Sequence, residues 1–119
     1  MKDCVFCKII NKELPSKNVF EDKDVIAFET IQPVSKGHVL VVPKKHFENI
    51  FDIDKEVLQK LITVTKNLSE KLKIENKATG VNLLNASGKD AQQSVFHFHL
   101  HIVPRYKNDG LDLWFREKL

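Results

Sequence analysis

The stretch VFHFHLHIVPR, Val95 to Arg105, sets His97, His99 and His101 at every second position, while the whole chain has only five histidines. A neutral imidazole is a nucleophile at pH 7: one ring nitrogen attacks while the other keeps its proton and donates it. Attack on phosphorus gives a phospho-histidine linkage that water then hydrolyses. The middle residue, His99, is best placed for this, with a neighbour on each side. His101 can donate to a non-bridging oxygen. Two histidines at i and i+2 on a strand can instead chelate one zinc ion, and a third reading is a solvated polar face. Just before the row, Asn85, Ser87, Gly88, Gln93 and Ser94 offer small polar groups around a glycine. They suit phosphate oxygens and a leaving group; without the histidine row the loop would read as a plain turn.

A second cluster of chemistry stands at Cys4-x-x-Cys7. That spacing is a zinc signal. Two histidines would complete a Cys₂His₂ set, and His46, after VVPKK, and His97, first in the row, are available. A redox pair fits less well, because no strand of a βαβ pattern precedes CVFC. Two buried thiols remain a third reading.

The elements that must carry these residues follow from periodicity. The apolar, β-branched run around the histidines reads as a strand from Val95, closed by Pro104. Side chains alternate along a strand, so the three histidines share one face and Phe96, Phe98, Leu100 and Ile102 turn towards a core. NVFED and VIAFET flank a turn at Asp22–Lys23 and form a hairpin. Pro33 and Gly37 mark the loop before HVLVVP, a buried strand ended by Pro43. Asp54 is a helix N-cap. Behind it Val57, Leu58, Leu61, Ile62, Thr65, Leu68 and Leu72 recur three and four apart, giving one amphipathic helix to about Leu72. TGVNLLNA is a further strand, and CVFCKIIN a short helical turn anchored by Phe6, Ile9 and Ile10. The sum is an α+β fold: an antiparallel sheet of about five strands with one long helix on a face.

A chain of 119 residues, 42% hydrophobic and 29% charged, is expected to form a single globular domain over 1–119. Its net charge of +3 comes from intermixed Lys and Glu, with no basic stripe, so a nucleic-acid binder is not expected. No apolar run reaches the ~18 residues of a membrane span. Lys8 interrupts the apolar N-terminal run, so a signal peptide is not expected either, and the expected location is the cytoplasm.

The motif His-φ-His-φ-His-φ-φ, with φ apolar, resembles that of the histidine triad family. CVFCKIINKELPSKNVFEDKDVIAFETIQP, GHVLVVPKKH and NASGKDAQQSVFHFHLH each resemble its nucleotide-binding, phosphoramidase-like branch, in the right order and over nearly the whole length. The resemblance implies a homodimer with one continuous sheet that binds purine nucleoside monophosphates and hydrolyses AMP–amine or acyl-adenylate bonds. It implies His99 as the nucleophile and His101 on the phosphate, with His38 near the triad. Gln93 and Ser94 would line the phosphate and leaving-group site, with Asn85 also facing the phosphate. Phe6, Ile9, Phe28 and Ile31 would surround base and ribose. It also implies one structural zinc per chain on Cys4, Cys7, His46 and His97. Members of a sister branch act on dinucleoside polyphosphates, and a non-catalytic nucleotide-binding regulator is the other alternative.

One position departs from the family motif. An Asp that accepts both ribose hydroxyls is replaced here by Thr30, in AFETIQP. Glu29, its strand neighbour, should face the opposite side and cannot substitute.

Overall fold

The computed structural model describes residues 3–115. A short helix α1 (Val5–Ile10) leads into the hairpin β1 (Asn18–Glu21) and β2 (Val25–Glu29), then β3 (Val39–Pro43). The long helix α2 (Lys55–Glu75), β4 (Gly80–Leu84), a 3₁₀ turn at Lys89–Ala91 and β5 (Leu100–Arg105) complete the chain. The five strands form one antiparallel sheet in the order β1-β2-β3-β5-β4. The α+β expectation is met in element type and order.

Alternation along the central strands divides the apolar residues between two faces. Val25, Ala27, Val39, Val41, Phe98 and Ile102 pack with Phe47 and with Leu61, Val64 and Leu68 of α2. Ile26, Phe28, Leu40 and Val42 turn the other way, onto Phe6 of α1. Burying Leu61 and Ile102 completely stabilises the fold by ~1.5–3 kcal/mol each. Glu29 follows the alternation to the α2 face, where it lines a cavity beside Leu68 and Leu72. It pairs there with Lys17 at 3.2 Å.

The long helix and the histidine strand depart from the sequence expectations in detail. The helix runs past Leu72 to Glu75, because nothing in Lys73–Ile74–Glu75 stops it; it ends at the C-cap Asn76, before Lys77 at φ 60°. Its buried stripe includes Val64 and leaves Ile62 48% exposed. Asp54 is the N-cap, as expected, without a side-chain capping bond.

The histidine strand differs most. Regular pairing begins at Leu100, not Val95: the ladder with β3 ends at Val41↔Leu100, although β3 itself runs on to Pro43, and the ladder with β4 ends at Leu84↔His101. Upstream of these pairs the chain no longer has a ladder on either side, and Phe96 lies 43% exposed instead of in the core. Pro104 sits inside β5 rather than closing it. The Arg105 carbonyl accepts from Thr79 N–H on the β4 side, so Pro104, one residue earlier, turns its missing N–H towards β3. Pairing there has already ended at Val39↔Ile102. Gly37 fills the gap at φ +90°, where a Cβ would come 3.3 Å from Pro104 Cγ and 2.7 Å from Asn76 Nδ2.

Candidate active site and metal cluster

The three histidines gather on the α1 face as the alternation requires, with Phe98 on the other side. Phe6 packs edge-on against His97 and His99, ring centroids 5.8 and 5.0 Å away, and His99 lies 5.0 Å from His101. His97 and His99 are buried, and so is His38 from the start of β3.

Backbone groups fix which nitrogen of each ring carries the proton. Pro43 O lies 2.8 Å from His97 Nε2, so Nε2–H donates and Nδ1 keeps its lone pair. The His97 carbonyl lies 2.8 Å from His99 Nδ1, which therefore donates and leaves a lone pair on Nε2. Val34 N–H donates to His38 Nδ1 at 3.2 Å, placing the His38 proton on Nε2. That proton is donated to His101 Nδ1 at 3.0 Å, leaving a second N–H on His101 Nε2. The set thus presents one nucleophilic nitrogen, on His99, and one donor, on His101. Neither Nε2 has a protein partner, and Ser35 Oγ is the one buried unpartnered polar side-chain atom among the described residues. Both Nε2 atoms are therefore open to solvent or substrate.

Burial keeps these rings neutral. It lowers the pKa of His38 and of His99. It takes His101 down to about 4, with repulsion from the charged forms of His99 and His38 adding to the effect. An uncharged His99 at pH 7 retains the lone pair that attack requires.

The first histidine belongs to a different cluster. His97 Nδ1 lies 3.2 Å from Cys4 Sγ and 3.6 Å from Cys7 Sγ; His46 Nδ1 lies 3.4 Å from Cys7 Sγ. The four ligand atoms all fall within 4.8 Å of one another. A tetrahedron with Zn–S ~2.3 Å and Zn–N ~2.0 Å has edges of roughly 3.3–3.8 Å, so the donors fit that metal. The fit extends outwards, since Pro43 O orients His97 with Nδ1 towards the sulfurs. Both cysteines are free thiols. Without a cation, burial and the contact with Cys4 push the Cys7 thiol up to about 11, a charge penalty that a metal would remove. Cys4 also caps α1, its sulfur accepting Cys7 N–H at 3.3 Å.

The remaining predicted residues divide. Phe6 and Phe28 form a buried edge-on pair, with Ile9 packed beside them. Ile31 is 95% exposed. Thr30 follows β2; its N–H donates to His38 O, and its hydroxyl oxygen accepts Gln32 N–H. Ser94 is exposed and borders a cavity of about 510 Å³, with Cys4, His46 and Phe96. Gln93 is buried and spends its amide on the backbone: Oε1 accepts Gly88 N–H, and Nε2 donates to Glu48 O and Val95 O. Asn85 Nδ2 donates to His99 O at 3.0 Å. Sequence reasoning missed the contributions of Pro43, Val34 and Phe47, which act through main-chain atoms and leave no side-chain signal.

The HIT domain family matches this chain over residues 11–108. The chain belongs to that family. A HIT-like protein of Borreliella burgdorferi is 48% identical over 112 residues, which span 92% of this chain and 81% of that protein. Adenosine 5′-monophosphoramidase HNT1 of Saccharomyces cerevisiae is 39% identical over 102 residues, 86% of this chain and 62% of the yeast protein. Among solved structures, a Streptococcus mutans protein matches with TM-score 0.93 at 39% identity, covering 100% of this chain and 76% of that one. A zinc-bound histidine triad protein of Mycobacterium smegmatis matches with TM-score 0.90 at 34% identity, covering 94% and 81%. The HIT fold, with its helices and five-stranded sheet, is thereby shared with proteins of known structure.

Proposed function

We propose that this HIT protein is a nucleotide-binding hydrolase that cleaves the P–N bond of purine nucleoside phosphoramidates, or the matching bond of acyl-adenylates, through a nucleotidyl-histidine intermediate. The observation that carries the reading is the proton pattern of the triad. His99 Nδ1–H is held by the His97 carbonyl, which leaves Nε2 free to attack, and His101 Nε2–H stands beside it as a donor. In the first step His99 Nε2 bonds to phosphorus while the P–N bond breaks. The nitrogen departs with its electron pair and takes up a proton from solvent to leave as an amine. Water then attacks phosphorus and returns a proton to solvent, the P–Nε2 bond breaks with its electron pair going back to Nε2, and AMP and neutral His99 result. His101, backed by His38, donates to a non-bridging oxygen. Ser94 lies at the leaving-group end, with Asn85 and Gln93 shaping the phosphate loop. Phe6, Ile9, Phe28, Thr30 and Ile31 border base and ribose. The yeast relative's name as an adenosine monophosphoramidase supports this substrate class.

One structural zinc ion would be held by Cys4, Cys7, His46 and His97, a set of four protein ligands. It would supply no chemistry and would clamp α1 to the segment, just before β5, that bears the nucleophile. The free thiols fit a reducing cytoplasm, and among the described residues no helix is long and apolar enough to cross a membrane.

His99→Ala should abolish turnover of an adenosine phosphoramidate, by at least ~10³-fold, while AMP still binds. Mass spectrometry of quenched reactions should show an AMP adduct on the wild type and none on the variant. Substantial turnover by purified His99→Ala protein would falsify the covalent route.

A further inference from the structure

The two ladders that flank β5 stop just short of the nucleophile, at Val41↔Leu100 and Leu84↔His101. His99 is therefore held by other means. Phe98 N–H donates to Phe47 O at 2.7 Å. The His99 carbonyl accepts from Asn85 Nδ2 at 3.0 Å, a side chain continuing where the β4 backbone leaves off. Asn85 is in turn held by Ser87, whose hydroxyl donates to Asn85 Oδ1 at 2.8 Å. Ser87 Oγ accepts Ile50 N–H at 2.9 Å, so its own proton is committed to Asn85. Ile50 sits in a braced loop. The Asp52 carboxylate accepts the N–H groups of Glu48 and Asn49, and Asn49 Oδ1 accepts that of Phe51. The same loop takes Gln93 Nε2 at Glu48 O.

We propose that Ser87 is a positioning residue for the nucleophile, acting through Asn85 on the His99 carbonyl, with the 47–52 loop as fixed support. The polarity of the relay is what makes it specific. Ile50 N–H orients the Ser87 hydroxyl, and that hydroxyl selects the amide orientation in which Asn85 points NH₂, not its oxygen, at the His99 carbonyl. Without the hydroxyl the amide is free to turn, and the Phe98–His99 segment loses the tie on the His99 carbonyl while keeping that on Phe98 N–H. Loss of a near-attack geometry lowers the rate of bond formation more than it lowers affinity for the nucleotide.

The inference rests on the function proposed above, and the experiment separates the two. Adenosine phosphoramidate turnover and AMP affinity are measured for wild type, Ser87→Ala, Ser87→Thr, Asn85→Ala and the Ser87→Ala/Asn85→Ala double variant. In parallel, ring-nitrogen NMR reports His99 in wild type and the two Ser87 variants. The expected result is a roughly tenfold lower kcat in Ser87→Ala with unchanged AMP affinity, recovery in Ser87→Thr, and no further loss in the double variant beyond Asn85→Ala. The His99 signals should shift in Ser87→Ala and return in Ser87→Thr. A wild-type kcat in Ser87→Ala, additive losses in the double variant, or loss of AMP affinity in step with kcat would overturn the relay. If the wild type turns over no phosphoramidate, the proposed function fails, and the His99 signals alone decide the relay: unchanged signals in Ser87→Ala reject it.

Discussion

His97 serves the site through two different atoms. Its Nδ1 faces the two sulfurs, and its carbonyl holds the proton of His99. His38 likewise reaches the site through a neighbour, by fixing the proton of His101. Thr30 is the residue at which this chain departs from the histidine triad motif, and it carries a prediction. A carboxylate accepting two ribose hydroxyls contributes ~1.5–3 kcal/mol, and a neutral hydroxyl ~0.5–1.5. The difference, about 1 kcal/mol, is roughly fivefold in affinity. Glu29 cannot make it up, since it lies on the α2 face with Lys17. Thr30→Asp should therefore tighten AMP binding severalfold and widen the preference for ribose over 2′-deoxyribose. It should leave kcat nearly unchanged, because the sugar contact is the same in ground and transition states. Titration calorimetry with both nucleotides checks this; an unchanged ribose preference would mean that another residue holds the sugar.

At the scale of elements, the outcome of sequence reasoning follows the range of the forces involved. Alternation is local, so placing His97, His99 and His101 opposite Phe98 and Ile102 needed nothing beyond Val95–Arg105. The start of β5 is not local: it depends on where its ladders with β3 and β4 end, and the alternating pattern is the same in paired and unpaired extended chain. Helix α2 continues to Glu75, beyond the expected end at about Leu72, because Lys73 and Glu75 are good helix formers, and it stops at Asn76. The ties from Ser87 to Ile50 and from Phe98 to Phe47 link residues remote in sequence, one of them through main chain alone, and no spacing announces them. Helix α1 has only six residues and cannot hold itself together in water; its cap and its last anchor are the two cysteines' environment and Phe6. Removing zinc should therefore loosen α1 first. Chelation is expected to lower the melting temperature by about 5 °C or more, corresponding to roughly 1 kcal/mol. The fractional loss of activity at moderate temperature should be smaller. Elemental analysis should find one zinc per chain in protein purified without chelators; protein free of zinc with both thiols titratable would count against the site.

For the whole molecule, the sheet order leaves two edges, β1 and β4, and they are not equivalent. The register of β1 shifts between Asn18 and Phe20, and Glu21 at its end pairs with Lys44. A bulged, charged strand is poorly suited to accept another strand. Along β4 the register is unbroken, no residue is charged, and Leu83 is 45% exposed. Exposed Ile62 lies two turns before Ser69 on α2, and Ser69 borders β4 together with Val81. Leu83 on the strand and Ile62 on the helix thus offer exposed apolar side chains on the β4 side. Pairing β4 with β4 of a second copy would remove that edge and cover Leu83 and Ile62 in one two-fold contact, giving the continuous sheet that the histidine triad resemblance implies. Sedimentation at micromolar concentration should return twice the chain mass of 13.7 kDa. Leu83→Lys should return a folded monomer, since a half-exposed edge position tolerates Lys in the isolated chain but not against its copy. Asn18→Lys, on the opposite edge, should stay dimeric. A wild-type monomer would refute the dimer, and a dimeric Leu83→Lys protein would move the interface away from β4.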